Sequence, residues 1–408
     1  MQQFDLLIRN GRIVDGTGAP IYRADLGIRN GRIAAIGRQL GDAAQQIDAE
    51  GLLVTPGFVD LHTHFDGQAT WDERLWPSSQ QGVTTAVMGN CGVGFAPCRP
   101  EARDQLIALM EGVEDIPDTA LHEGLPWNWE SFPEYLQALA ARRYDIDIAA
   151  LLPHAPLRVH AMGERAIRRE QASAEDIKAM QELIRQGLAA GAVGLSTSRT
   201  MAHRSRSGDF TPMYQAASEE LLALGVALKN YPNSVFQMIS DFEHVGDEFS
   251  ILTRVAQRTG RAATLTVLQY PHRPQLHREL LQQIEKANAD GLRIMGQVLN
   301  RPVGVLMGFE CSLNPFSCRP SYAALAPLEP AERLRALALP TTRSAILDEK
   351  DRNPHLFMEY FGQNFSGMYP LVRRRTQLSA AGRRFGSGAG RCRRRTAAGV
   401  DVRLHAGA

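Results

Sequence analysis

Cysteine is scarce: Cys91, Cys98, Cys311, Cys318 and Cys392 are the five in 408 residues. So sparse and odd a set argues against a disulfide scaffold and fits a reducing compartment. Long apolar runs are missing too, and none approaches the ~20 residues of a membrane-spanning helix. At the N-terminus, Met1-Gln2-Gln3-Phe4-Asp5 lacks the basic stretch and apolar core of a secretory leader. These absences predict a cytoplasmic protein with no membrane partner. Excess charge is also lacking, at a formal +1, yet the balance is uneven. Residues 373–408 hold ten Arg, no Lys and one acidic residue, Asp401, whereas residues 1–372 carry 35 basic against 43 acidic side chains. With 44% apolar and 22% charged residues overall, wholesale disorder is excluded. A mildly acidic globular body is thus followed by a basic tail.

What is present begins with an internal echo. Ile8-Arg9-Asn10-Gly11-Arg12-Ile13 recurs as Ile28-Arg29-Asn30-Gly31-Arg32-Ile33. Asn-Gly supplies the positive φ angles of a two-residue hairpin turn, and β-branched residues flank both copies. Two adjacent hairpins in a small all-β unit are expected, with a boundary at residues 1–52.

Strand then alternates with helix. Short apolar runs at 52–59, 83–88, 146–152, 192–196, 234–239, 263–268 and 292–298 predict strands buried on both faces of a parallel sheet. Helices are expected at 102–111, 131–143, 174–190, 216–229, 244–259 and 275–290. The clearest is 174–190, where Ser173 and Asp176 form a capping pair and Ile177, Met180, Leu183, Ile184 and Leu188 recur at helical spacing. Seven strands with crossover helices predict an incomplete (β/α)8-type TIM barrel over residues 53–371. A doubly wound sheet is the alternative. No G-x-G-x-x-G follows the first strand, and metal-ligand residue types stand at the strand ends, which favours the barrel.

The densest chemistry lies in Pro56-Gly57-Phe58-Val59-Asp60-Leu61-His62-Thr63-His64. Two histidines two apart on a strand point the same way, about 6–7 Å apart at Cα. At a strand end both imidazoles can reach one cation. The second strand runs into Gly89-Asn90-Cys91-Gly92. A buried free Cys is most often a small hydrophobe, but adjacent barrel strands would bring Cys91 beside His62 and His64. A thiolate with two imidazoles suits zinc. His62, His64 and Cys91 are the candidate metal ligands. Cys98, seven residues on, has no defensible metal-site spacing.

With an N-terminal hairpin unit, then PGFVDLHTHFD, then GVTTAVMGNCG, the chain resembles the amidohydrolase superfamily. Within it the chain is similar to the D-aminoacylase, or N-acyl-D-amino-acid deacylase, branch. Leu152-Pro153-His154-Ala155-Pro156-Leu157-Arg158 and Gly191-Ala192-Val193-Gly194-Leu195-Ser196-Thr197 extend the resemblance. It implies a β-sandwich joined to a barrel, and hydrolysis of the amide of a small N-acyl-D-amino acid by water activated on zinc. It also implies an aspartate that carries the proton to the leaving amine. By motif, His62 and His64 match the first-strand His-x-His, and Cys91 matches the branch's cysteine ligand. A dihydropyrimidinase-like cyclic amidase is the alternative activity, and Gly-Asn-Cys-Gly tilts against it.

Two departures stand beside the matches. The branch places further metal-binding histidines at the ends of strands five and six, where this chain reads Val235-Phe236-Gln237-Met238-Ile239-Ser240 and Thr264-Leu265-Thr266-Val267-Leu268-Gln269. His244 and His272 follow a few residues later and are read as solvent-facing loop residues. One zinc, a second zinc, or a site that has lost its metal are all compatible with this set. Beyond about residue 372 the family pattern gives way to Arg373-Arg374-Arg375, Gly386-Ser387-Gly388 and Arg393-Arg394-Arg395. With Phe385 as its single aromatic, this tail is not taken for a nucleic-acid binder. Residues 372–408 are expected to be a disordered product of a shifted or truncated frame. The strand-eight aspartate therefore has no candidate, no catalytic residue is assigned, and a catalytically impaired family member is the competing hypothesis.

Other residues carry weaker signals. Asp60 and Asp66 flank the histidines. His154 and Arg158 suit either substrate contact or helix packing. His203–Asp209 reads as a solvated loop, and Trp127 and Trp129 read as packing residues.

Overall fold

The computed structural model describes residues 4–299 and, beyond them, 304, 307–309, 311, 314–352, 360, 362–365 and 368–369. The tail of residues 372–408, with Cys392 and Asp401, lies outside the described residues.

Residues 4–54 form one five-stranded sheet. Its strands are β1 (Phe4–Ile13), β2 (Tyr22–Arg29), β3 (Arg32–Gly37), β4 (Ala43–Asp48) and β5 (Leu53–Val54), with β3-β2-β1-β4 in order and β5 beside β1. The second Asn-Gly turns the β2–β3 hairpin as expected, with Asn30 and Gly31 both at positive φ. Both expected hairpins are present, but the first Asn-Gly does not turn the chain: β1 and β2 pair antiparallel across a connection at residues 14–21. Asn10 takes φ 61°, but β1 continues through it with a register shift between Ile8 and Gly11 against β2. The reason is tertiary. Neighbours on both sides of β1 hold the bulge, Asn10 N–H donating to Asp25 Oδ1 at 2.9 Å and its side-chain amide to Asp48 Oδ1 at 3.0 Å. Gly11 lets Val54 approach, since a Cβ there would stand 2.6 Å from Val54 Cγ2.

The remainder is α/β with parallel strands. Along the chain come β6 (Phe58–Asp60), β7 (Val83–Met88), α1 (Arg103–Glu114), α2 (Asp118–Gly124), α3 (Phe132–Ala140), β8 (Asp147–Ala150) and β9 (Leu152–Pro153). Then follow α4 (His154–Met162), α5 (Glu164–Ile167), α6 (Ala174–Ala189), β10 (Gly194–Arg199), α7 (Ser218–Val226), β11 (Val235–Ser240), α8 (Val245–Thr259), β12 (Ala262–Thr266), α9 (Leu276–Ala289) and β13 (Ile294–Gln297). The parallel strands lie in chain order, as β6-β7-β8 and β9-β10-β11-β12-β13. The run containing β8 and β9 changes partner midway: β8 pairs β7, β9 pairs β10, and Leu151 N–H between them donates to Met88 O at 2.9 Å. Among the described residues the order never makes the reversal that a doubly wound sheet requires.

The helices cover this array for the reason their periodicity predicts. Ser173 and Asp176 cap α6 reciprocally, and Met180, Ile184 and Leu188 are buried along one of its faces. Each such side chain contributes about 1.5–3 kcal/mol of burial. Gly187 gives the closest approach, where a Cβ would meet Leu152 Cδ2 at 2.6 Å. Among the described residues no helix is long and apolar enough to cross a membrane.

Candidate metal centre

β6 ends at Asp60, and the next four residues turn across the end of β7. Thr63 N–H and Oγ1 both donate to Val87 O, at 3.0 and 2.8 Å, and fasten this segment. His62 and His64 therefore flank a buried anchor, with their rings 5.4 Å apart. Asp60 Oδ1 accepts His62 N–H at 3.3 Å, so this carboxylate braces the backbone.

After β7 the chain makes a left-handed turn. Gly89 has φ 78°, and a Cβ there would lie 2.1 Å from Leu151 O, so only glycine fits. Cys91 itself takes φ 56°. Neighbouring strands hold this strained turn: Ser196 of β10 accepts Gly92 N–H at 3.0 Å and donates to Gly89 O, while Gln237 Oε1 of β11 accepts Cys91 N–H at 3.3 Å. Cys91 Sγ then stands 3.0 Å from His62 Nε2. One ligand atom each from His62, His64 and Cys91 lie within 4.8 Å of one another. Three residues singled out from two separate motifs are brought together.

Each histidine has a partner behind it. His62 Nδ1 faces Gln297 Oε1 at the end of β13, 3.3 Å away, which leaves Nε2 toward Cys91. His64 Nε2 faces Glu114 Oε1 at the end of α1, 3.2 Å away, while its Nδ1 is buried without a hydrogen-bond partner among the described residues. Such outer partners fix the tautomer and aim of a metal-binding imidazole.

Burial lowers the pKa of His62 and pushes His64 well below the usual imidazole value, so both rings are neutral donors. Burial, with Glu114 and Asp66 nearby, drives the Cys91 thiol well above its ordinary range. Burial also raises Asp66 to about 7 and Glu114 to about 8. Asp66 Oδ2 has no hydrogen-bond partner. These groups are acceptors and potential anions crowded without a compensating cation. A bound divalent ion would oppose the upward shifts of Cys91, Asp66 and Glu114, displace the thiol proton and keep both imidazoles neutral. Two neutral imidazoles and a sulfur are a donor set that fits zinc.

Other candidates fall elsewhere. His244 is exposed at the N-terminus of α8, as expected. His272 corrects the expectation of a solvent-facing loop residue: it is half-buried, with its ring 5.2 Å from Tyr270 and 5.9 Å from Tyr360. Cys98 is buried in the core. Trp129 packs there too, donating to Phe95 O at 2.8 Å. His154 and Arg158 lie in a buried network with Glu220 and Thr197. His203 is half-buried, bonded to Ser198 Oγ at 2.9 Å, and burial brings its pKa down to about 4.

Glu114, Gln237 and Gln297 escaped the sequence reading, and His203, read as part of a solvated loop, is half-buried instead. For the two glutamines a signal existed, since each is a polar side chain within an otherwise apolar strand run, a placement that needs a partner. Glu114 carries no local mark.

Comparison with known proteins agrees with this picture. The family described as "Amidohydrolase family" matches residues 45–361, and the chain belongs to it. The N-terminal domain of the urease alpha-subunit matches residues 1–57. A D-aminoacylase of Alcaligenes xylosoxydans xylosoxydans is 37% identical over 223 residues, 54% of this chain and 41% of the relative. The matched part thus spans well under half of that protein. A solved D-aminoacylase structure superposes with a TM-score of 0.58 at 29% identity, covering 72% of this chain and 58% of the other. The N-acyl-D-glutamate deacylase of Bordetella bronchiseptica, solved with zinc and a phosphonate mimic of the tetrahedral intermediate, gives 0.55 at 29% identity over 74% and 59% of the two chains.

Proposed function

We propose that this chain is a metal-dependent hydrolase of N-acyl-D-amino acids, releasing the D-amino acid and a carboxylate, with His62, His64 and Cys91 holding one zinc ion. The observation that carries the reading is the gathering of three ligand atoms within 4.8 Å around the ends of β6 and β7. When bound, the ion supplies Lewis acidity toward an amide carbonyl and lowers the pKa of water. The chain's own residues do the rest of the positioning. Gln297 orients His62, Glu114 orients His64, and Ser196 and Gln237 hold the Cys91 turn.

The same reading treats the parallel strands as seven staves of a (β/α)8 barrel over 53–371, and residues 1–52 as part of a β-sandwich. Supporting it, the first and last parallel strands meet at their C-terminal ends through the His62–Gln297 contact. In such barrels that end bears the active site.

Elemental analysis tests the proposal, on purified protein and on a His62→Ala, His64→Ala, Cys91→Ala variant, followed by an N-acetyl-D-amino acid hydrolysis assay. Near-stoichiometric zinc that disappears in the variant, together with hydrolysis by the parent, is the expected result. Zinc near zero in both proteins would sink the metal assignment, and zinc without hydrolysis would sink the activity.

A further inference from the structure

Gln237 is fully buried in β11 and uses half of its amide. Its Oε1 accepts the Cys91 N–H, and this donor fixes which way the amide is turned. The other half, Nε2, is buried without a hydrogen-bond partner among the described residues. An amide N–H left unpaired in the interior is destabilising, which marks a place where a partner is to be supplied. That partner must be an acceptor. Tethered to the Cys91 backbone, the amide stands beside the three-residue cluster, on a strand where the family resemblance leads one to expect a histidine. An amide nitrogen does not ligate zinc, so β11 offers a hydrogen-bond donor in place of a metal ligand.

We propose that Gln237 is a catalytic residue whose Nε2–H binds the carbonyl oxygen of the scissile amide, an inference that rests on the deacylase reading. A neutral donor suits a neutral carbonyl that enters a desolvated site and becomes negative only during reaction. As water adds to the carbonyl carbon, the π pair moves onto the oxygen and is held by Nε2–H. It returns to re-form C=O as the C–N bond breaks, and the amine nitrogen takes the proton released by water. No oxidant or reductant is involved. Donors aimed at developing negative charge act more strongly on the tetrahedral species than on the planar amide.

The test compares the full chain with Gln237→Met, which lacks both polar atoms, and Gln237→Glu, which keeps an acceptor for Cys91 N–H but loses the donor. Zinc per chain is counted in each, and calorimetry measures binding of a phosphonate analogue of an N-acyl-D-amino acid. Both variants should bind the phosphonate about 10²–10³-fold more weakly than the parent, with Gln237→Glu retaining its zinc. Binding within threefold of the parent in both variants would overturn the donor role while leaving the deacylase reading intact. So would loss of zinc in both variants, because Gln237 would then act only through Cys91. A parent chain that holds zinc but ignores the phosphonate would remove the deacylase reading, and the inference with it.

Discussion

Two histidine–carboxylate pairs lie in the parallel part of this molecule, one fully buried and one part-buried, and they differ in how their charge is balanced. His154 Nε2 meets Glu220 Oε1 at 2.9 Å, its Nδ1 meets Thr197 Oγ1 at 2.9 Å, and Arg158 places its guanidinium 2.5 Å from the same carboxylate. His64 meets Glu114 at 3.2 Å and has no partner on its other nitrogen among the described residues. The consequence appears in the carboxyl groups. Burial alone would raise Glu220, but bonds from His154 and the charge of Arg158 bring it below the ordinary glutamate value. Glu114, with burial and Asp66 against it, rises to about 8. One pair carries its own cation, although Arg158 Nε is left unpaired; among the described residues no cation acts on the carboxylate of the other, whose imidazole keeps an open nitrogen. A structural pin and a candidate metal centre can thus be told apart by the charge facing the carboxylate and by whether both imidazole nitrogens are bonded.

The largest effect expected from breaking this contrast is on stability. Glu220→Ala strands Arg158, which is 2% exposed, without its carboxylate, and should cost about 3–5 kcal/mol. Urea denaturation measures it, and a loss under about 1 kcal/mol would show that the network is not the pin described. The corresponding change in the open pair should leave stability nearly untouched and act on the metal. Glu114→Gln is expected to weaken zinc about 10–100-fold, the usual cost of losing an outer partner. Competition with a chelator reads this out; unchanged affinity would mean that Glu114 does not orient His64.

The pH dependence sharpens the comparison with the smallest effect. His203 is held down to about 4 by burial, against the pull of Asp241 and helped by the nearby His62. Below its ordinary value of about 6.5 the unfolded chain takes up a proton that the folded chain refuses. The stability contributed by the neutral ring is therefore complete above about 6.5 and is lost as pH falls toward 4. Urea midpoints measured at steps from pH 7 to pH 5 should decline, and His203→Gln should flatten the decline. An equal slope in the variant would assign the effect to other groups.

Much of this was legible one residue at a time. The strand 83–88 and the helix beginning at Ala174 follow from apolar spacing and the Ser173–Asp176 cap, and both stand in the structure as expected. His62, His64 and Cys91 were legible because two short motifs carry the right donor types at consecutive strand ends. The first Asn-Gly shows where local reading stops: the same dipeptide that turns the chain at Asn30 is absorbed as a bulge at Asn10, because β2 and β4 bond to both sides of β1.

Periodicity, caps and short motifs act through neighbours within a few residues, so the order of elements and the three metal-ligand candidates were already written in the chain. Gln237 lies 146 residues from Cys91, and Gln297 lies 235 from His62. Contacts at such separations depend on how every intervening strand and helix packs, and no local pattern encodes them. Only the assembled sheet decided which imidazole nitrogen faces inward, which carboxyl lacks a cation and which amide hydrogen is left without an acceptor.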